Sequence, residues 1–132
     1  MTAGSRIDEV LDSARRQLPH RPTAAELPAL QGRGALIVDI RPQAQRDRDG
    51  DLPGAVVVDR NVLEWRLDPT STDRIAEVVD TDQEVIVVCN EGYASSLAAL
   101  SLQALGFHRA TDLDGGIQAV LRASASPCSE GA

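Results

Sequence analysis

Val85-Ile86-Val87-Val88-Cys89-Asn90-Glu91-Gly92-Tyr93-Ala94-Ser95-Ser96 is the stretch that decides the fold. Four β-formers run into a cysteine, a loop with one glycine follows, and two serines precede the helix-like run Leu97 to Leu105. A continuous apolar run rich in β-branched residues reads as a strand buried on both faces, as in a parallel sheet. The serines read as N-caps of the helix that follows. Cys89 therefore stands where a parallel strand ends and a helix begins. Ligands of open α/β sheets bind at that rim, and a helix start there offers free N–H groups and a positive dipole end. Such surroundings favour a thiolate, the nucleophilic form of cysteine.

Composition narrows the class. The chain has 132 residues, enough for one domain with a core. With 42% hydrophobic but only 2% aromatic residues, that core must be built from Val, Leu, Ile and Ala. A formal net charge of -7 argues against nucleic-acid partners and anionic membranes. No apolar run approaches the roughly 20 residues of a membrane span, and Met1 to Glu9 is too polar for a signal peptide. Two cysteines form no disulfide framework, and no His/Cys cluster suggests zinc. The expected setting is the reducing cytoplasm, with no metal or other cofactor.

Elsewhere, helices and strands alternate. Ile7, Val10, Leu11, Ala14 and Leu18 recur at helical spacing, so residues 6–18 read as an amphipathic helix that either covers the domain or mediates a homodimer. Leu18-Pro19 ends it, and His20 reads as a surface residue. Thr23 to Glu26 is a capping-box pattern opening a short helix. Ala35 to Ile40 is a strand with Asp39 near its end, followed by Arg41-Pro42. Gln43 to Asp49 is charged and helical or irregular, and Val56 to Val58 is a short strand. Asn61-x-x-Glu64 reads as another cap, and Asp73 to Val79 as a helix with Ile75, Val78 and Val79 on one face. Ala110 to Leu113 is a last strand, Asp114-Gly115-Gly116 a turn, and Ile117 to Ala123 a final helix. The pattern implies a parallel α/β sheet with helices on both faces, Asp39 and Cys89 sharing one rim.

These residues resemble the rhodanese-like (sulfurtransferase) domain family. Leu36-Ile37-Val38-Asp39-Ile40-Arg41 is similar to its first core strand, and Gly50-Asp51-Leu52-Pro53-Gly54-Ala55 to its Gly-His-Ile-Pro-Gly-Ala turn. Cys89-x-x-Gly92 with Ser95 matches the active-site loop, and Leu113-x-Gly115-Gly116 the closing motif. Residues 1–21 read as an N-terminal helix and linker, the resemblance implies a rhodanese-like domain over 22–123 with about five mainly parallel strands, and 124–132 has the composition of a flexible tail. It also implies that Cys89 carries sulfane sulfur as a persulfide. Donor and acceptor would be a small sulfur donor or a protein persulfide, and a thiol.

The loop departs from the family where it matters. The arginine usual just before the serine is Ala94, and Glu91 places an acid near the nucleophile. A loop arginine would bind an oxyanion bidentately; without it, thiosulfate is expected to be a poor donor and a persulfide or polysulfide a better one. Backbone N–H groups of Asn90, Glu91, Gly92, Tyr93, Ala94, Ser95 and Ser96 would form the anion-binding loop. Asp39, Arg41, Arg60, Trp65 and Arg66 are the candidate pocket rim, with Arg60 or Arg66 replacing the lost charge. Phosphatases and arsenate reductases of the same fold need arginine at the sixth position after the cysteine, which here is Ser95. The alternative to an enzyme is a rhodanese-like module that binds a partner or senses redox state through Cys89. Cys128 reads as a thiol without a role.

Overall fold

A computed structural model describes residues 4–125. Its strands are β1 (Leu36–Asp39), β2 (Val56–Val57), β3 (Val85–Val88) and β4 (Ala110–Asp112), all parallel in the order β2-β1-β3-β4. The helices are α1 (Arg6–Gln17), α2 (Leu27–Gly32), α3 (Gln43–Asp49), α4 (Leu63–Leu67), α5 (Ala94–Ala104) and α6 (Gly116–Ala125), with 3-10 turns at Ala24–Glu26 and Arg60–Val62. Side chains of β1 and β3 alternate between two cores, as the pleat requires. Leu36, Val38, Val85 and Val87 pack with Leu63, Leu67, Ala98, Ala99, Leu102 and Phe107. Ile37, Ile86 and Val88 pack on the other face with Leu27, Leu30 and Ile117. α1 lies against α5 and buries Ala14, while Ile7 and Val10 stay exposed. Cys128 and most of the expected tail lie outside the described residues.

Four strands form among the described residues, where about five were expected. The linker after α1 runs beside the edge strand β4: the Thr111 hydroxyl donates to the Pro19 carbonyl at 3.1 Å, and the Asp114 N–H to the Pro22 carbonyl at 2.9 Å. Neither proline has an N–H to return, so no ladder forms. Residues 73–79 make turns instead of the expected helix. Local side chains capture the backbone there: Ser71 Oγ accepts from the Asp73 N–H, and Gln83 Oε1 from the Val79 and Asp80 N–H groups. Ile75 and Val78 are buried as expected, but Val79 is 75% exposed. The turn at Arg60 is capped by Asp59, which accepts from the Asn61 N–H at 2.7 Å, not by Asn61.

Two features tie the sheet to its loops. At the strands' N-terminal ends, Arg33 donates through Nε to Glu84 at 2.9 Å. That guanidinium holds the Glu84 carboxyl below its ordinary value of 4.5 against the opposing effect of burial. At the C-terminal ends, α6 starts so close to the Cys89 loop that a Cβ on Gly116 (φ +59°) would lie 2.5 Å from the Cys89 carbonyl oxygen.

Both features have measurable consequences. A depressed carboxylate stabilises the fold above its unfolded pKa, and that contribution fades as pH falls through the folded value. Glu84→Gln is therefore expected to lower the stability at pH 7 by at most about 1 kcal/mol, seen as a lower thermal midpoint, with the gap to the parent closing below pH 4.5. An equal gap at all pH values would contradict this. Gly116→Ala is expected to cost about 1–3 kcal/mol through left-handed strain and to slow alkylation of Cys89 by displacing the loop; thermal melts and a mass-resolved labelling rate test it.

Candidate active site

Cys89 follows the last residue of β3, and α5 begins five residues later. The loop between them bends back on the sulfur. Cys89 Sγ accepts from the Gly92 N–H at 3.2 Å and from the Ser95 N–H at 3.3 Å. The thiol in turn donates to Ser95 Oγ at 3.2 Å. Gly92 adopts φ +89°, and a side chain there would press on the Gly115 nitrogen at 2.9 Å; the position requires glycine on both counts. From the other side, α6 presents its first N–H groups to the loop. Ile117 donates to the Cys89 carbonyl at 2.9 Å and Gln118 to the Asn90 carbonyl at 3.1 Å. The Gln118 side chain adds a bond to Asn90 Oδ1 at 3.0 Å.

The serines do not cap α5. Tyr93 occupies the cap position, and Ser95 and Ser96 lie in the first turn, fully buried. Their hydroxyls donate to Asp112 Oδ2, at 2.6 Å from Ser95 and 2.8 Å from Ser96. Asp112 ends β4 and is itself fully buried. Arg21 pairs with it, Nε to Oδ1 at 2.7 Å and Nη2 to Oδ2 at 3.2 Å. Arg21 Nη2 also reaches the Gly92 carbonyl at 3.3 Å, which Arg15 Nη2 meets at 2.6 Å. Sequence reasoning missed Arg15, Arg21 and Asp112. The one available signal was an acid inside an otherwise buried strand, which demands a buried partner.

A cavity of about 340 Å³ opens over Cys89. Ile40, Arg41, Arg60, Asn90, Glu91, Tyr93 and Ala94 line it. Arg41 and Asp39 form a buried pair, Nη2 to Oδ2 at 2.7 Å, and Arg41 Nη2 also bonds the Gly50 carbonyl at 3.0 Å. Arg41 Nη1 is the one buried side-chain polar atom among the described residues without a partner. Arg60 donates to Glu64 at 3.0 Å. Burial pushes the Glu64 carboxyl up, but the Ser101 hydroxyl and Arg60 outweigh it and hold it below the ordinary range. Of the expected rim, Asp39, Trp65 and Arg66 do not line the cavity; Asp39 is fully buried against Arg41. Trp65 is 59% exposed on α4, and Arg66 donates to the Asp73 carbonyl at 2.7 Å. A larger cavity of about 480 Å³, lined by Leu30, Ile86, Arg33 and Arg109 among others, lies at the strands' N-terminal ends, away from the thiol. Among the described residues, no cluster of three His, Cys, Asp or Glu side chains could hold a metal ion, and no helix is long and apolar enough to cross a membrane.

The rhodanese-like domain model matches residues 23–123. The thiosulfate sulfurtransferase GlpE of Pseudomonas savastanoi is 33% identical over 90 residues, covering 68% of this chain and 76% of GlpE. A Rhodopseudomonas palustris protein of unknown function, named as a possible tyrosine phosphatase, superposes with a TM-score of 0.81 at 29% identity, covering 96% of both chains. A rhodanese homologue from Thermus thermophilus superposes at 0.55 with 31% identity, over 76% of this chain and all of its own. With the motifs in order, the parallel sheet in place and the cysteine loop at its rim, this chain belongs to the rhodanese-like domain family.

Proposed function

We propose that the protein is a sulfurtransferase that carries sulfane sulfur on Cys89. The observation that carries this reading is the convergence of the Gly92 and Ser95 N–H groups on Cys89 Sγ at the floor of an open cavity. The Cys89 thiolate attacks the outer sulfur of a donor persulfide. A sulfur–sulfur bond forms at Cys89 while the donor's own sulfur–sulfur bond breaks, and the donor leaves as a thiolate. An acceptor thiolate then attacks the outer sulfur of the Cys89 persulfide, takes it, and regenerates the cysteine. No electrons are gained or lost overall. The loop's fixed N–H dipoles stabilise the anionic sulfur in both halves of the cycle. The reading places this chemistry in a reducing compartment, and no cofactor takes part.

The cavity's charge bears on the donor. Its cations, Arg41 and Arg60, are each already paired with a carboxylate, Asp39 and Glu64, and Glu91 adds a negative charge at the loop. A dianion such as thiosulfate gains little there. A persulfide or polysulfide, small or protein-borne, needs less positive charge and fits better. The name of the Pseudomonas relative favours thiosulfate, so both donors belong in the test. The phosphatase named for the Rhodopseudomonas structure needs a cation facing the phosphate. Here the sixth residue after Cys89 is Ser95, and Arg15 and Arg21 bind behind the loop instead of lining the cavity.

Intact mass after brief incubation with a polysulfide is expected to show one added sulfur, absent in Cys89→Ser and removed by cyanide or a thiol. Thiosulfate is expected to load far less. Equal loading would overturn the donor argument, and no loading from either would favour a binding or redox-sensing module. Hydrolysis of p-nitrophenyl phosphate lost in Cys89→Ser would favour the phosphatase. Arg60→Ala is expected to raise the KM for an anionic donor several-fold with kcat little changed; unchanged kinetics would remove Arg60 from donor binding.

A further inference from the structure

The Ser95 hydroxyl has one hydrogen and two claimants. Asp112 Oδ2 lies 2.6 Å away and Cys89 Sγ 3.2 Å away. With Cys89 as a thiol, both bonds are made at once: the sulfur donates to Ser95 Oγ, and Ser95 donates to the carboxylate. With Cys89 as a thiolate, the sulfur has no hydrogen to give, and Ser95 must turn its own toward it. Asp112 then loses one of four hydrogen bonds but keeps Ser96 and both contacts from Arg21. The carboxylate thus competes with the sulfur for the hydroxyl, and its charge opposes the thiolate directly. Arg21 offsets that charge and binds the carbonyl of Gly92, whose N–H holds the sulfur.

We propose that Asp112 and Arg21 are a paired set of positioning residues that fix the thiol–thiolate balance of Cys89 through Ser95. The inference deepens the sulfurtransferase reading and rests on Cys89 being its reacting group. Arg21 precedes residues 23–123, the span matched by the family model, and reaches the site from the linker after α1. Burial lowers the basicity of its guanidinium, but Asp112, Asp114 and Cys89 outweigh this and hold it above the ordinary value.

Other charges face Cys89 as well. On the cavity side stand the Asp39–Arg41 pair at the end of β1, Arg60 with Glu64, and Glu91 and Tyr93 in the loop. Behind the loop, Arg15 of α1 binds the Gly92 carbonyl and Ser96, and Asp114 shares Arg21. All are left unchanged in the variants below, so the comparison isolates Arg21 and Asp112.

The test is the pH dependence of Cys89 alkylation by iodoacetamide, read by intact mass in a Cys128→Ser background. Arg21→Gln leaves the Asp112 carboxylate unopposed and is expected to raise the midpoint by about one pH unit. Asp112→Asn frees both the Ser95 hydroxyl and the Arg21 charge and is expected to lower it by about as much. The double variant returns toward the parent, and Arg21→Lys stays close to it. A role only in folding predicts no such opposition of sign; two shifts in one direction, or none, would overturn the proposal. Should Asp112→Asn fail to fold, Ser95→Ala replaces it and must shrink the Arg21→Gln shift; an undiminished shift would be just as fatal. Alkylation needs no sulfur donor, so it reads the pair even in a protein that never accepts sulfur.

Discussion

A chain that turns around a buried sulfur leaves backbone polar groups in a place with little water, and each needs a partner. Two helix starts supply them. α5 directs the Ser95 N–H at the sulfur, and α6 directs the Ile117 and Gln118 N–H groups at the Cys89 and Asn90 carbonyls. The loop is held between two sets of donors that would otherwise be orphans of their own helices. The close approach explains why glycine stands at 92 and 116, where any side chain would strike backbone. It also makes the two distant motifs, Cys89-x-x-Gly92 and Leu113-x-Gly115-Gly116, one structural unit.

What sequence can show follows from how local each cause is. The four strands were legible, and so was the two-faced burial of β3, because a run such as Val85 to Val88 carries the signal within itself. The position of Cys89 at the sheet rim followed from the alternation of elements. The span 73–79 was misread because its apolar spacing fits a helix while its bonding does not. Gln83, four positions on, takes the Val79 N–H that a helix would need, and apolar spacing carries no sign of such a local side-chain bond. The serines were misassigned for a similar reason. A hydroxyl just before a helix reads as a cap unless a carboxylate waits across the core, and Asp112 is sixteen or more positions away in the chain. Arg15 and Arg21 were invisible because nothing near them in sequence says that they end at the Gly92 carbonyl. Trp65 and Arg66 were expected at the rim with Arg60, but Trp65 stays exposed on α4 and Arg66 bonds the Asp73 carbonyl.

The position of Arg15 and Arg21 bears on how a loop without its own arginine works. An arginine within such a loop would serve two tasks, offsetting the charge on sulfur and binding the donor's oxyanion. In this chain the tasks are separated in space. Arg15 and Arg21 approach from behind, bond the Gly92 carbonyl, and do not line the cavity. Arg21 is itself paired with Asp112, so of the two only Arg15 brings a charge with no carboxylate partner, whereas a substrate in the cavity meets Arg41 and Arg60, both paired with acids, and Glu91. A Coulomb interaction weakens with distance and with the water in the cavity mouth, so the Arg15 charge behind the loop favours an anion on Cys89 more than one on an incoming donor. That asymmetry suits a site whose central species is a sulfur anion fixed to the protein. It also brings two side chains of the N-terminal segment to the loop from outside the span 23–123 that the family model matches.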